Sequence, residues 1–98
     1  MKDNSPKRFR ETMTYGQVTR WLNFIKTRSM AFQTVKGMEE DLKEFLEAWN
    51  KVSKYDGPKK EKSGQAWNQT YWTTLVNLDF MYISLEEKYR KIIKENSK

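Results

Sequence analysis

Apolar residues in the last third of the chain recur at alternating steps of four and three: Tyr71, Leu75, Leu78, Tyr82, Leu85, Tyr89 and Ile92. A heptad seam sustained over three repeats belongs to an α-helix, because a strand presents the same face every second residue. The stretch WNQTYWTTLVNLDFMYI (67–83) is rich in aromatic and β-branched residues that favour a strand on propensity alone. Period outweighs propensity here, and the spacing predicts a helix over about 65–95, with Glu86–Arg90 and Glu87–Lys91 as i, i+4 pairs in its final turns. On a helical wheel, Trp72, Val76, Phe80 and Ile83 make a second apolar stripe beside the seam, leaving Thr73, Asn77, Ser84, Lys88 and Lys91 as a thin polar edge. A helix apolar over more than half its circumference has to be surrounded.

Two further faces precede it. In TYGQ, Thr14 and Gln17 stand at the spacing of a capping box, where each side chain satisfies an orphan backbone N–H. Val18, Trp21, Leu22, Ile25, Phe32 and Val35 then follow at three- and four-residue steps until Gly37, which predicts a helix over about 14–36. Met38, Leu42, Phe45, Leu46, Trp49 and Val52 predict a second over about 38–55, stopped by YDGP. The polar, glycine-bounded segment 56–64 reads as a solvated loop. The expected fold is all-α: a single-domain, three-helix antiparallel bundle over 14–98 with a long C-terminal helix, preceded by a basic N-terminal arm or short helix over 1–13. A third helix of this length extends about 46 Å, against about 27 Å for the second. Either it bends, or the N-terminal segment folds over it, or another chain covers the overhang.

Composition makes a core feasible only through its rings. Leu, Ile, Val and Phe together are about a fifth of the 98 residues, near the level at which chains stay unfolded. Four Trp, five Tyr and five Met supply the missing apolar area. The chain contains neither cysteine nor histidine, which removes thiolate chemistry and the commonest general base and metal ligand. Catalysis and cofactors are not expected. No apolar run approaches the length of a membrane span, and the opening MKDNSPKRFRE has no apolar signal segment, so an intracellular, cytoplasmic protein without a membrane partner is expected. The NQT at 68–70 is then an incidental glycosylation match.

Net charge is +6, and residues 1–36 hold eight bases against two acids, whereas 38–56 hold three against six. This excess points to nucleic acid, or an acidic or nucleoprotein partner. The candidate contacts are Lys7, Arg8 and Arg10 of KRFR and the helical ridge Arg20, Phe24 and Arg28, where a ring for stacking alternates with guanidinium forks for phosphate. The competing reading packs Phe24 into the bundle with the arginines lying across it. SPKRFRE either opens a short helix, with Ser5 as cap, or orders on a phosphate backbone. Lys59, Lys60 and Lys62 are candidates of the same kind, though an ordinary exposed loop explains them as well. A helix-turn-helix at Gly37 fits poorly, because an acidic helix follows.

The second class of function is a protein-binding regulator or inhibitor, of the compact kind that viruses and mobile elements encode. Its candidate surface is Trp67, Trp72, Val76, Phe80 and Ile83, against the alternative that these rings are core with wet edges. Pairing of two copies through the same helix is the intermediate case. Asp79 lies between seam and stripe, where a structural ion pair with Arg20, Arg28 or a partner's base is expected. Glu39, Glu40, Asp41, Glu44 and Glu47 suit a solvent face better than a cation site.

Overall fold

The computed structural model describes residues 9, 13–60 and 67–96. Among these the chain forms α1 (Tyr15–Met30), a 3-10 turn (Ala31–Thr34), α2 (Glu39–Ser53) and α3 (Gln69–Asn96), with no strand. The fold is an all-α three-helix bundle whose C-terminal helix is the longest element. Apart from Phe9 and Met13, the expected N-terminal arm lies outside the described residues, as do Lys7, Arg8, Arg10 and Lys62.

The capping box that opens α1 is formed as the sequence requires: the Gln17 N–H donates to Thr14 Oγ1 at 3.2 Å and the Thr14 N–H to Gln17 Oε1 at 2.9 Å. The α-helical part ends at Met30, earlier than the periodicity predicts, because the chain tightens into a 3-10 turn. Ser29, fully buried, turns its hydroxyl back to the Lys26 carbonyl (2.8 Å). Tightening carries Phe32 onto Tyr89, ring centroids 4.4 Å apart and stacked. Gly37 then reverses the chain at φ +99°, a conformation side-chain-bearing residues rarely adopt. Its N–H donates to the Glu39 carboxylate at 3.0 Å as α2 begins.

Past α2, the Tyr55 ring folds back over Gly57 and donates its hydroxyl to the Pro58 carbonyl (3.2 Å). A Cβ at Gly57 would stand 2.7 Å from that hydroxyl, so close approach keeps this glycine. The connection returns through an isolated antiparallel bridge between Lys60 and Trp67, with the Asn68 N–H donating to the Lys59 carbonyl (2.8 Å). The third helix therefore starts at Gln69, not near 65. Asn68 caps it, its side-chain oxygen accepting from the N–H groups of Thr70 and Tyr71 at 3.0 and 3.4 Å.

Helices consecutive in sequence run antiparallel, so α1 and α3 run parallel. Tyr15 lies near Trp67 at one end, and Phe32 lies on Tyr89 towards the other. In the opposite sense, Tyr55 stacks on Tyr71, Phe45 approaches Tyr82, and Asp41 pairs with Lys88. The seam residues Tyr71, Leu75, Leu78, Tyr82 and Leu85 are buried against Val18, Trp21, Leu22 and Ile25 of α1 and Leu42, Phe45 and Val52 of α2. Tyr89 and Ile92 are half-buried continuations of that line.

Part of the overhang is covered from within the chain, while Ile93 stays 43% exposed. The 3-10 turn and Gly37 extend α1 along the far half of α3, bringing Phe32 to Tyr89 and the Gly37 turn beside Ile92. Over the near half lies Phe9, its ring 5.6 Å from Trp21 and 6.5 Å from Trp67, with its N–H donating to Asp79 at 3.4 Å.

Leu75 is fully enclosed, whereas Val76, its neighbour, is half-buried. Leu75→Ala should cost about 3 kcal/mol and Val76→Ala less than about 1 kcal/mol, read as the difference in urea midpoints at constant slope. Equal costs would mean that the seam does not carry the core.

Candidate functional site

The α1 ridge is divided by the fold. Arg20 is exposed at the surface, and Phe24 is half-buried against the core. Arg28 is engaged: its Nε donates to Glu86 Oε2 at 2.9 Å, and its guanidinium lies 5.8 Å and 6.0 Å from the ring centres of Phe32 and Tyr89. Glu86 is only 4% exposed, and the same oxygen accepts from the Tyr82 hydroxyl at 2.6 Å. Its other oxygen accepts no hydrogen bond and stands 3.8 Å from Arg90 Nε. Arg28, offered by the sequence as a phosphate contact, is exposed but has its Nε committed to a buried carboxylate. Arg28, expected as one possible partner of Asp79, pairs instead with Glu86, which the sequence placed only beside Arg90.

Desolvation pulls the Glu86 carboxyl upward, but hydrogen bonds from Arg28 and Tyr82 and the charges of Arg28 and Arg90 outweigh it, so its pKa sits below the ordinary carboxylate value. The Tyr82 hydroxyl is pushed well above its ordinary value, by burial first and then by the carboxylate it donates to. Arg28 is raised in turn, chiefly by its hydrogen bond to Glu86. The cluster ties α1 to α3.

The aromatic surface expected on α3 also separates. Trp67 is 7% exposed and belongs to the core, ringed by Phe9, Tyr15 and Tyr71 at centroid distances of 6.5, 6.3 and 5.8 Å, with Lys60 Nζ 4.0 Å from its ring. The bridge to Lys60 draws it inward, so it is corrected from an exposed anchor to a packed one. Trp72, Val76 and Ile83 are half-buried. Phe80 is 60% exposed at mid-helix. Beside it a groove of about 370 Å³ runs between α2 and α3, with Phe45, Met81 and Leu85 as its apolar part and Asp41, Glu44, Ser84 and Lys88 as its polar part. Lys88 pairs with Asp41, and Glu44 is the second carboxylate of that rim.

Sequence reading missed a second cavity, of about 180 Å³, where α1, α2 and the start of α3 meet. Trp49 forms one wall, its indole N–H held by the Leu22 carbonyl at 2.9 Å. Lys59 stands on it, donating from Nζ to the Tyr15 hydroxyl oxygen at 2.9 Å and lying 5.4 Å and 5.7 Å from the Tyr15 and Tyr71 rings. Lys59 and Lys60 are both half-buried over rings, unlike the expected fully solvated loop lysines. The available signal was the alternation of Lys and aromatic residues on the two sides of the bridge, but nothing in the sequence gives its register.

Asp79 is 5% exposed and takes the Phe9 N–H. Among the described residues no three metal-ligating side chains converge, the acids of α2 included, and no helix is long and apolar enough to cross a membrane. Comparison with protein-family models, curated proteins and solved structures gives no match.

Because the Glu86 pKa is lowered in the fold, its stabilisation is complete above the unfolded value of about 4.3 and is lost as pH falls through the lower folded value. Arg28→Met should therefore destabilise the protein by about 2 kcal/mol at pH 7 and by distinctly less below about pH 4, where a protonated Glu86 no longer needs the cation. Chemical denaturation of both proteins across that range reads the gap. A gap independent of pH would show that the pair carries no charge-dependent stability.

Proposed function

We propose that this chain is a non-enzymatic binding protein that docks on a protein target through the outer face of α3, with Phe80 as the anchor. The observation carrying this reading is a phenylalanine 60% exposed at the middle of the longest helix, next to an open groove of about 370 Å³. Large rings at the centre of an interface supply most of its affinity once water is excluded around them. The half-buried Trp72, Val76 and Ile83 extend the apolar area on one side of Phe80. On the other side lies α2, whose first turn carries Glu39, Glu40 and Asp41, followed by Glu44 one turn on. The partner is accordingly a protein segment with an apolar anchor flanked by Lys or Arg. Complementary charge sets its orientation and speeds encounter more than it adds affinity.

A nucleic-acid reading keeps one specific support, the exposed Arg20 within a first third of net charge +6. Its contacts would be Arg20 together with Lys7, Arg8 and Arg10, while Arg28, exposed, already commits its Nε to Glu86. It requires log affinity to fall with log salt at a slope of about −0.9 per phosphate contacted on duplex, and Arg20→Glu to reduce that slope by about one contact.

For the protein-docking reading, proteins captured from the native host by the wild-type chain are compared with those captured by Phe80→Asp and Glu44→Lys, each checked for unchanged helicity. A target whose affinity drops at least about thirtyfold in Phe80→Asp, and more modestly in Glu44→Lys, bears the reading out. Identical capture by Phe80→Asp overturns it. Wild type sedimenting as a dimer that Phe80→Asp dissolves would instead assign the face to a second copy of this chain.

A further inference from the structure

The cavity between α1, α2 and the start of α3 lies on a different part of the molecule from Phe80 and has a different character. Its volume, about 180 Å³, exceeds the roughly 150 Å³ that accepts benzene in a dry engineered core. It falls short of the roughly 300 Å³ at which pockets for drug-sized molecules begin. One ring fits, and two do not. Its walls are themselves aromatic: Trp49, Trp67, Tyr71 and Tyr15, with Val18 and Val52 between them. Two of those walls are fixed. Trp49 is held to the Leu22 carbonyl, and Trp67 is clamped among the Phe9, Tyr15 and Tyr71 rings. A flat occupant therefore meets preorganised ring edges, at little ordering cost to the protein.

The polar side of the cavity is asymmetric in charge. Thr19, Asn23 and Ser53 contribute neutral groups, and among the described residues Lys59 is the one charged side chain of the lining. One ammonium N–H goes to Tyr15, which leaves two donors for another acceptor. That hydrogen bond, partly offset by desolvation, raises the Lys59 pKa above its ordinary value, so the cation is present throughout the neutral range. Among the described residues no carboxylate lines the cavity to answer it.

We infer that this cavity is a binding site for a single aromatic ring bearing a carboxylate, the ring lying among Trp49, Trp67 and Tyr71 and the carboxylate meeting the Lys59 ammonium. A free aromatic acid and a protein C-terminus ending in phenylalanine carry the same chemistry. Both are probed. The inference does not depend on the α3 docking face.

The test uses the full chain and four probes: phenylacetate, benzyl alcohol as a neutral ring, acetate as an anion without a ring, and an acetylated peptide ending in a free phenylalanine carboxylate. Ligand-observed NMR and tryptophan fluorescence report binding. Phenylacetate should saturate with a dissociation constant in about the millimolar range, about tenfold tighter than benzyl alcohol, while acetate should not saturate. Lys59→Gln should abolish the preference for the anion while leaving ring binding intact. Ser53→Trp, at an exposed position on the cavity, should block every ring probe without unfolding the chain. Phenylacetate binding more tightly than the peptide assigns a free acid, and the reverse order assigns a chain terminus. Equal affinity for phenylacetate and benzyl alcohol, no saturation by either, or binding unchanged in Ser53→Trp overturns the inference.

Discussion

Tyr71, Leu75, Leu78, Tyr82 and Leu85 leave water along one line, and every other feature of the molecule is arranged around that removal. A chain with so few aliphatic residues needs large rings to displace enough water. Rings bring polar ends with them. The Tyr82 hydroxyl meets that requirement by donating to Glu86, and Glu86 in turn requires Arg28. The buried charge cluster is thus a consequence of building the seam from tyrosine. Packing also dictates how α1 ends, since only a tightened turn carries Phe32 onto Tyr89 while the chain still reaches Gly37.

The parts of this fold legible in the sequence are those set by local spacing. The heptad steps, the Thr14–Gln17 box, the reversal at Gly37 and the stop before Pro58 all follow from interactions within a few residues. Less legible is what depends on partners far apart in the chain. Glu86 takes its cation from 58 residues away, and nothing in its i, i+4 neighbourhood distinguishes it from Glu87. Asn68 resembles any polar residue of NQT until the bridge at Trp67 fixes where the helix can start. The length mismatch of the third helix was visible, but the cover that the 3-10 turn and Gly37 give its far half required knowing which ends meet.

The candidate sites divide by the same rule. A pattern of charges and rings on one helix identifies a surface only if no other element claims those side chains. Phe80 remained available and Trp67 did not, although both stand in the same aromatic stretch. The Lys59 cavity was invisible because three separate elements and a loop each supply part of it. Val18, Thr19 and Ser53 of its lining are too small to fill the space beside the indoles of Trp49 and Trp67.

Because the first and third helices run in the same direction, among the described residues two helix beginnings sit together at the Tyr15–Trp67 end with one helix finish beside them. Each beginning is equivalent to about half a positive elementary charge, and the finish cancels one of the two. The bundle is therefore electrically polarised along its length even before side chains are counted. Its positive pole is the end that holds Lys59 and Lys60, so approaching anions are drawn there by the backbone as well as by the lysines.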